Sequence, residues 1–134
     1  PGGKLGASIR TVASVMHTGD ALPIVHPHVI MRDAILEMTI KGLGILGVVD
    51  GGGNLVGAIT DGDLRRHIAD TNLFENTAAN VMTHNPRVIG ADELISIAVR
   101  EMEINKITAL FVLNEQSKLS GLIRLSDLAR IGVI

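Results

Sequence analysis

Apolar and polar positions follow the same order of patterns twice along this chain of 134 residues. Each time, a short extended run precedes a stripe of apolar residues at helical spacing. Two nearly continuous apolar runs separated by a turn come next, and a shorter helical stripe follows. Apolar runs of this kind are typical of buried strands, and the polar stretch between them is typical of a hairpin turn.

In the first copy, Gly42 is a suitable C-terminal stop for the first helix, in which Ile30, Ala34, Ile35 and Met38 share a face. Thr60 or Asp61 can cap the second helix. The predicted elements are a helical turn at 11–16, an extended run at 22–25, a helix at 30–42, strands at 45–49 and 55–60, and a helix that carries Leu64 and Ile68.

In the second copy, Asp92 is a suitable N-cap for a helix that ends at Asn105 and has Ile95, Ala98, Val99 and Met102 on one face. Residues 83–85 are polar and are predicted to form a loop. The other predicted elements are an extended run at 86–89, strands at 108–113 and 119–123, a turn at 114–118 and a helix at 126–131.

The internal repeat is the strongest feature of the sequence. Each copy alone would have a marginal core, so we expect the copies to bury one another's sheet faces about a pseudo-two-fold axis in an α+β fold. The alternative is that the repeat serves stability only. The pairs that are identical at an offset of 64 are Ala34/Ala98, Glu37/Glu101, Met38/Met102, Ile40/Ile104, Leu46/Leu110, Val48/Val112, Leu55/Leu119, Gly57/Gly121, Ile59/Ile123, Asp63/Asp127, Leu64/Leu128 and Arg66/Arg130.

Composition narrows the classes of partner. Apolar residues make up 46% of the chain, enough for a folded core, whereas aromatic residues make up only 1% and leave almost no platform on which bases could stack. The net charge is −2 with no basic run, so nucleic acid and anionic membranes are unsuitable partners. Because cysteine is absent, thiol catalysis and zinc–thiolate sites are excluded.

Candidate chemistry lies where the second strand of each copy meets the following helix. In the stretch 57–66, Thr60 offers a hydroxyl group and Asp63 a carboxylate that can accept hydrogen bonds from vicinal hydroxyls, as on a ribose. Backbone N–H groups near Gly62 could face a phosphate. The alternative is that these residues only cap the helix. The recurrence of the carboxylate as Asp127 favours a site.

A glycine motif, three histidines and a pair of acids give weaker evidence for a cofactor or metal site. The stretch 42–47 satisfies G-x-G-x-x-G, but a helix precedes it and a strand follows, the reverse of a dinucleotide fingerprint. His17, His26 and His28 have no obvious carboxylate partner for a metal ion. Asp61 and Asp63 are ordinary acids at a helix start rather than a magnesium pair. No metal site and no catalytic residue is predicted.

Two repeats that each begin near Val-Met and end in a strand, a turn and a helix with a late aspartate resemble a pair of CBS domains, also called a Bateman module, over residues 11–134. The resemblance implies tandem β-α-β-β-α units that bind adenosyl compounds or other nucleotides in the clefts between them. Thr60 and Asp63 match the ribose-binding pattern Thr/Ser-x-x-Asp of that family. In the second copy Asp127 matches, but Arg124 replaces the hydroxyl residue and could instead meet a phosphate or carboxylate.

Three stretches, 1–6, 15–20 and 60–66, resemble the junction and CBS motifs of bacterial arabinose 5-phosphate isomerases, in which a sugar isomerase (SIS) domain precedes the CBS pair. The resemblance implies a linker at 1–10 from an absent SIS domain, a first CBS repeat at 11–70 and a second at 71–134. This chain would then be a regulatory part without catalytic activity. Its cytoplasmic parent would interconvert ribulose 5-phosphate and arabinose 5-phosphate for Kdo and lipopolysaccharide synthesis.

The regulatory ligand expected from this resemblance is a nucleotide or nucleotide sugar in the cleft between the repeats. CMP-Kdo, the activated end product, is favoured, with AMP or ATP possible, and no cofactor is expected. The alternative is a module that only holds the isomerase oligomer together. A homodimer through the CBS pairs is expected in either case. The candidate ligand-binding residues are His17, Thr18, Gly19, Asp20, Thr60, Asp61, Asp63, Lys106, Thr108, Arg124, Ser126 and Asp127.

Overall fold

A computed structural model describes residues 9–134 of the chain. The predicted linker, 1–10, therefore lies outside the described residues except for its last two positions. Among the residues described, no helix is both long enough and apolar enough to span a membrane.

The described chain divides into two compact units, and the boundaries of these units differ from the boundaries of the sequence repeats. The central unit comprises residues 20–86, and the terminal unit comprises 9–19 and 87–134. Met16, near the start of the first repeat, packs on the core of the terminal unit, and Met82, near the start of the second, packs on the core of the central unit. The leading segment of each repeat thus packs with the strands of the other repeat.

The central unit holds a four-stranded sheet in the order β1-β2-β3-β4. β1 pairs with β2 in parallel, and the other neighbours are antiparallel. The long helix follows β1, and a short one follows β3 directly. The elements are β1 (Ile24–Val25), α1 (Met31–Lys41), β2 (Ile45–Val49), β3 (Leu55–Thr60), α2 (Asp61–Arg66), α3 (Ala78–Val81) and β4 (Thr83–His84).

The described part of the terminal unit repeats this arrangement with a three-stranded sheet in place of the four-stranded one. Its sheet has the order β5-β6-β7, again with one parallel and one antiparallel pair. The segment before Asp20 adds a short 3₁₀ turn, Val12–Ser14, where a helical turn is predicted. The other elements are β5 (Val88–Gly90), α4 (Ile95–Asn105), β6 (Ala109–Leu113), β7 (Leu119–Arg124) and α5 (Leu125–Arg130).

The predicted α+β fold of two β-α-β-β-α copies is confirmed. Strands β2 and β3 have the predicted bounds, and α1 ends at Lys41 with Gly42 as its C-cap, whose φ of 69° is left-handed. Each long helix buries three residues at helical spacing against its own sheet. These residues are Met31, Ala34 and Met38 in α1, and Ile95, Ala98 and Met102 in α4.

Three local predictions are wrong. α4 begins at Ile95 with Leu94 as N-cap, so Asp92 does not cap it. α2 ends at Arg66, and Ile68 lies beyond it with 73% of its surface exposed. The polar residues Thr83 and His84 are not loop but a short edge strand, because the backbone of β3 offers them a pairing partner.

Candidate functional site

The junction of β3 and α2 buries a carboxylate. Residues 57–59 of β3 are buried, and the chain turns into the helix immediately after Thr60. Asp63 is therefore in the first helical turn, where its carboxylate is favoured by the helix dipole, and only 3% of the residue is exposed. A buried carboxylate must find hydrogen-bond donors, and this one finds them within the central unit.

Both oxygens of Asp63 accept hydrogen bonds. The backbone N–H of Thr60 donates to Oδ2 at 2.9 Å, and the hydroxyl of Thr60 donates to the same oxygen at 3.2 Å. The hydroxyl of Thr83 and the guanidinium of Arg66 donate to Oδ1. An ionised carboxylate has about four acceptor positions. All four are thus used, two of them by side-chain hydroxyl groups.

Gly57 brings the hydroxyl of Thr83 to this carboxylate. β4 pairs with β3 so that Thr83 is opposite Ala58. Met82, one residue earlier, packs so closely on Gly57 that a Cβ there would lie 2.7 Å from its Cγ. Only glycine permits that approach. The sequence therefore positions Thr83 through the glycine of the facing strand.

The junction of β7 and α5 repeats this geometry in the terminal unit with different donors. Asp127 is 5% exposed. Arg124 donates from Nε to Oδ2 and from Nη2 to Oδ1, both at 2.8 Å, which is a bidentate pairing. Arg130 Nη2 lies 3.1 Å from Oδ1. His17 Nε2 is hydrogen-bonded to Oδ2 at 2.7 Å.

These contacts shift the ionisation of the pair. The hydrogen bonds from Arg124 hold the pKa of Asp127 well below its usual range, outweighing the opposite effect of burial, and His17 and Arg130 add to the lowering. The hydrogen bond to Asp127 in turn raises the pKa of the Arg124 guanidinium. Asp127 is consequently an ionised carboxylate held by two guanidinium groups and hydrogen-bonded to an imidazole.

A glycine contact also places His17. The backbone of His17 exchanges two hydrogen bonds with that of Leu122, at 2.9 and 3.1 Å. Met16 packs on Gly121, where a Cβ would lie 2.8 Å from Met16 Cγ. The residue after the methionine thus reaches the junction aspartate in both units.

The candidate site residues fall into two groups and a remainder. Thr60 and Asp63 meet in the central unit, and His17, Arg124 and Asp127 meet in the terminal unit. Thr108 contributes only its carbonyl, which accepts the Leu125 N–H at 2.9 Å. The others are exposed and belong to neither cluster of hydrogen bonds: Thr18, Gly19, Asp20, Asp61, Lys106 and Ser126.

Sequence reasoning missed three members of these clusters: Arg66, Thr83 and Arg130. The two arginines are an identical pair in the repeat, three residues after each aspartate, a spacing that brings side chains together on a helix. Thr83 follows Val81-Met82 just as His17 follows Val15-Met16. That parallel was visible in the sequence and would have identified Thr83.

Asp63 also helps to cap α2, as the alternative interpretation predicts, because its carboxylate accepts the N–H of Thr60 at the start of the helix. Within residues 9–134, no group of three or more potential metal-ligating side chains is placed to hold a metal ion. The structure therefore offers two buried aspartates with contrasting donors as the candidate sites.

The family follows from comparison with known domains. The sequence pattern of the CBS domain family matches the chain twice, at residues 12–70 and 78–133. The chain belongs to the CBS domain family. The two matches correspond to the two copies of the repeat, so this chain is a CBS pair.

Among curated proteins, the CBS pair is similar to the arabinose 5-phosphate isomerase KdsD of Pseudomonas aeruginosa. The two are 40% identical over 136 aligned positions, which cover 100% of this chain and 42% of the isomerase. The chain thus spans about two fifths of the length of the curated relatives that it matches.

Solved CBS pairs share its fold. A structure of CBSX2 in complex with AMP is 26% identical, with a TM-score of 0.76, and the match covers 90% of this chain and 94% of that one. The CBS pair of protein MJ0100, solved with 5′-methylthioadenosine and S-adenosyl-L-methionine, is 22% identical, with a TM-score of 0.80 and coverage of 92% and 95%.

Proposed function

We propose that this CBS pair is the regulatory part of an arabinose 5-phosphate isomerase and that it senses a nucleotide or nucleotide sugar. Similarity to KdsD along the whole chain supports the parent activity. That parent would be a cytoplasmic enzyme with an SIS domain, working in Kdo and lipopolysaccharide synthesis. The CBS pair itself would supply no catalytic group.

The observation that carries the ligand proposal is the hydroxyl environment of Asp63. The carboxylate is buried, and two of its acceptor positions are occupied by the hydroxyls of Thr60 and Thr83. A vicinal diol presents the same two donors, so a ribose could take their places without a change in charge. Binding of AMP by CBSX2 makes a nucleotide the reasonable class of ligand.

CMP-Kdo is the ligand that we favour within this class. Its cytidine ribose carries the diol that Asp63 would accept. As the activated end product of the pathway proposed for the parent enzyme, it is also the compound whose sensing would give feedback. To regulate the isomerase, it must bind two states of the protein with different affinities.

Calorimetric titration of the chain with CMP-Kdo and with AMP tests this proposal. We expect saturable binding of at least one of them and loss of that binding in Asp63→Asn, which keeps the shape of the side chain. Asp61→Asn, a change at an exposed neighbouring acid, is the matched control and should bind as the wild type does. If neither CMP-Kdo nor AMP at millimolar concentration gives a heat of binding or a shift in melting temperature, nucleotide sensing is refuted.

A second candidate function is assembly without a ligand. Ile40 and Ile104 occupy equivalent positions of α1 and α4, and they are 75% and 64% exposed. Exposed apolar residues at matched positions suit contact with a second copy of the chain. If assembly is the whole function, Ile40→Lys with Ile104→Lys should lower the sedimenting mass, while Asp63→Asn should leave regulation of the full-length enzyme unchanged.

A further inference from the structure

In the two junctions, the same three positions place donors around one carboxylate. In each, the donors come from the strand end, from the helix three residues after the aspartate, and from the segment that follows the packed methionine. The equivalent positions are Thr60 and Arg124, Asp63 and Asp127, Arg66 and Arg130, and Thr83 and His17.

At Asp63 an incoming hydroxyl group would replace another hydroxyl group. Thr83 is an exposed residue, so its side chain can return to water when it leaves the carboxylate. Arg66 has a side chain that is 63% exposed and is easily hydrated as well. The exchange preserves the charge of the junction and the number of hydrogen bonds to the carboxylate.

At Asp127 the same exchange would separate charges. Arg124 holds both carboxylate oxygens, and its side chain is only 25% exposed, while that of Asp127 is 7% exposed. A hydroxyl that displaced the guanidinium would leave a largely buried cation without its carboxylate. Breaking a buried ion pair in this way is strongly unfavourable.

We infer that Arg124 closes the Asp127 junction to hydroxylated ligands, so the chain binds one diol-bearing ligand, at Asp63. Arg124 is thus a specificity-determining residue that decides which of two similar junctions accepts a ribose. This inference rests on the proposed nucleotide sensing and adds to it the number and the place of the ligands.

The test is the stoichiometry of AMP binding, measured by calorimetry on the whole chain. We expect one equivalent for the wild type. Arg124→Thr restores a hydroxyl residue and should add a second equivalent, which the further change Asp127→Asn should remove. Arg130→Thr is the matched control, because it removes an exposed arginine from the same carboxylate and leaves the bidentate pair in place. It should keep one equivalent.

The reverse substitution keeps the inference testable even if Arg124→Thr does not fold. Thr60→Arg places a guanidinium beside Asp63 and should weaken AMP binding by about tenfold or more, the effect of a charge-assisted hydrogen bond that must be broken. Two equivalents in the wild type, one equivalent in folded Arg124→Thr, or unchanged affinity in Thr60→Arg would each overturn the inference alone. Absence of any saturable AMP binding by the wild type would overturn it together with AMP sensing.

Discussion

In the central unit, hydroxyl groups and one exposed arginine surround the buried carboxylate of Asp63, whereas in the terminal unit two arginines and a histidine surround Asp127. The backbones around them are alike. Each hairpin has a register shift near the end of its first strand, between Val48 and Val49 and between Val112 and Leu113. Each unit also packs a methionine on a strand glycine.

The difference shows which positions determine the fold and which determine the chemistry. Strand, glycine and methionine positions recur because they form the core and the close contact that position the junction. The donors around the aspartate can change without altering that frame. Arginine at the position of Thr60 and histidine at the position of Thr83 replace two hydroxyl donors by a guanidinium and an imidazole, while the arginine three residues after the aspartate is common to both units.

The largest expected difference between the junctions is in stability. Asp127→Asn removes the anion from a largely buried guanidinium, so we expect a loss of about 3 kcal/mol in the free energy of unfolding. Asp63→Asn keeps one acceptor oxygen for the two Thr60 donors, and the Arg66 guanidinium that loses its anion is exposed, so the cost should be about 1–2 kcal/mol. Urea denaturation measures both values.

Asp61→Asn is the control for this pair, because Asp61 is exposed, and it should stay within about 0.5 kcal/mol of the wild type. Equal losses in Asp63→Asn and Asp127→Asn would show that the contrasting donors do not differ in energy.

Acid should weaken the ion pair at Asp127 as the substitution does, because protonation of the carboxylate removes the same negative charge. The folded pKa of Asp127 is lowered by Arg124, and the unfolded pKa is about 3.9. The contribution of ionised Asp127 to the free energy of unfolding is therefore complete above the unfolded pKa. It is lost as the pH falls from there towards the lower, folded pKa. Below pH of about 4, the wild type should lose stability more steeply than Asp127→Asn. Parallel curves of urea midpoint against pH would contradict this account.

Replacing the strand glycine that contacts a methionine should lower the free energy of unfolding in both units. The three atoms nearest to an added Cβ at Gly57 all belong to the side chain of Met82, whereas at Gly121 the carbonyl oxygen of His17 is among the three nearest, at 3.0 Å. We expect losses of about 1–3 kcal/mol for Gly57→Ala and Gly121→Ala, the latter being larger because the backbone cannot swing away.

Double variants identify the contact responsible. Gly57→Ala combined with Met82→Ala should be less destabilised than the sum of the two single changes, which the free energies of unfolding will show. Strict additivity would mean that Met82 is not what the added methyl group meets.

The smallest predicted effect concerns the ends of the long helices. Gly42 follows α1 with φ of 69°, and Lys106 follows α4 with φ of 55°. A residue with a Cβ is strained in that region, so Lys106→Gly should raise the free energy of unfolding by about 0.5–1 kcal/mol. Gly42→Ala should lower it by about 1 kcal/mol. A loss of stability in Lys106→Gly, measured with urea, would indicate that the lysine side chain contributes more than the strain costs.

The sequence predicted the frame well, because strands β2 and β3 and the two long helices have strong apolar periodicity. It failed where local patterns compete with tertiary pairing. Thr83 and His84 are polar and short, and they become a strand only because β3 lies beside them. Asp92 is a good N-cap by type, but α4 starts at Ile95, which is fully buried.

The candidate site was predicted in part. Asp63 and Asp127 were identified from the repeat, but their donors depend on which segments pack beside them. Because the leading segment of one repeat packs with the strands of the other, Thr83 and His17 come from distant positions in the sequence. Spacing alone does not reveal such contacts.

The central claim is that a nucleotide displaces hydroxyl groups at Asp63 and not at Asp127. The most direct measurement is a titration of the ¹⁵N-labelled chain with AMP, followed through the backbone amides. We predict saturable shifts for Thr60, whose N–H donates to Asp63, and for Thr83, with no shift of similar size at Arg124 or Asp127. Shifts centred on Arg124 and Asp127, with Thr60 and Thr83 unmoved, would contradict it.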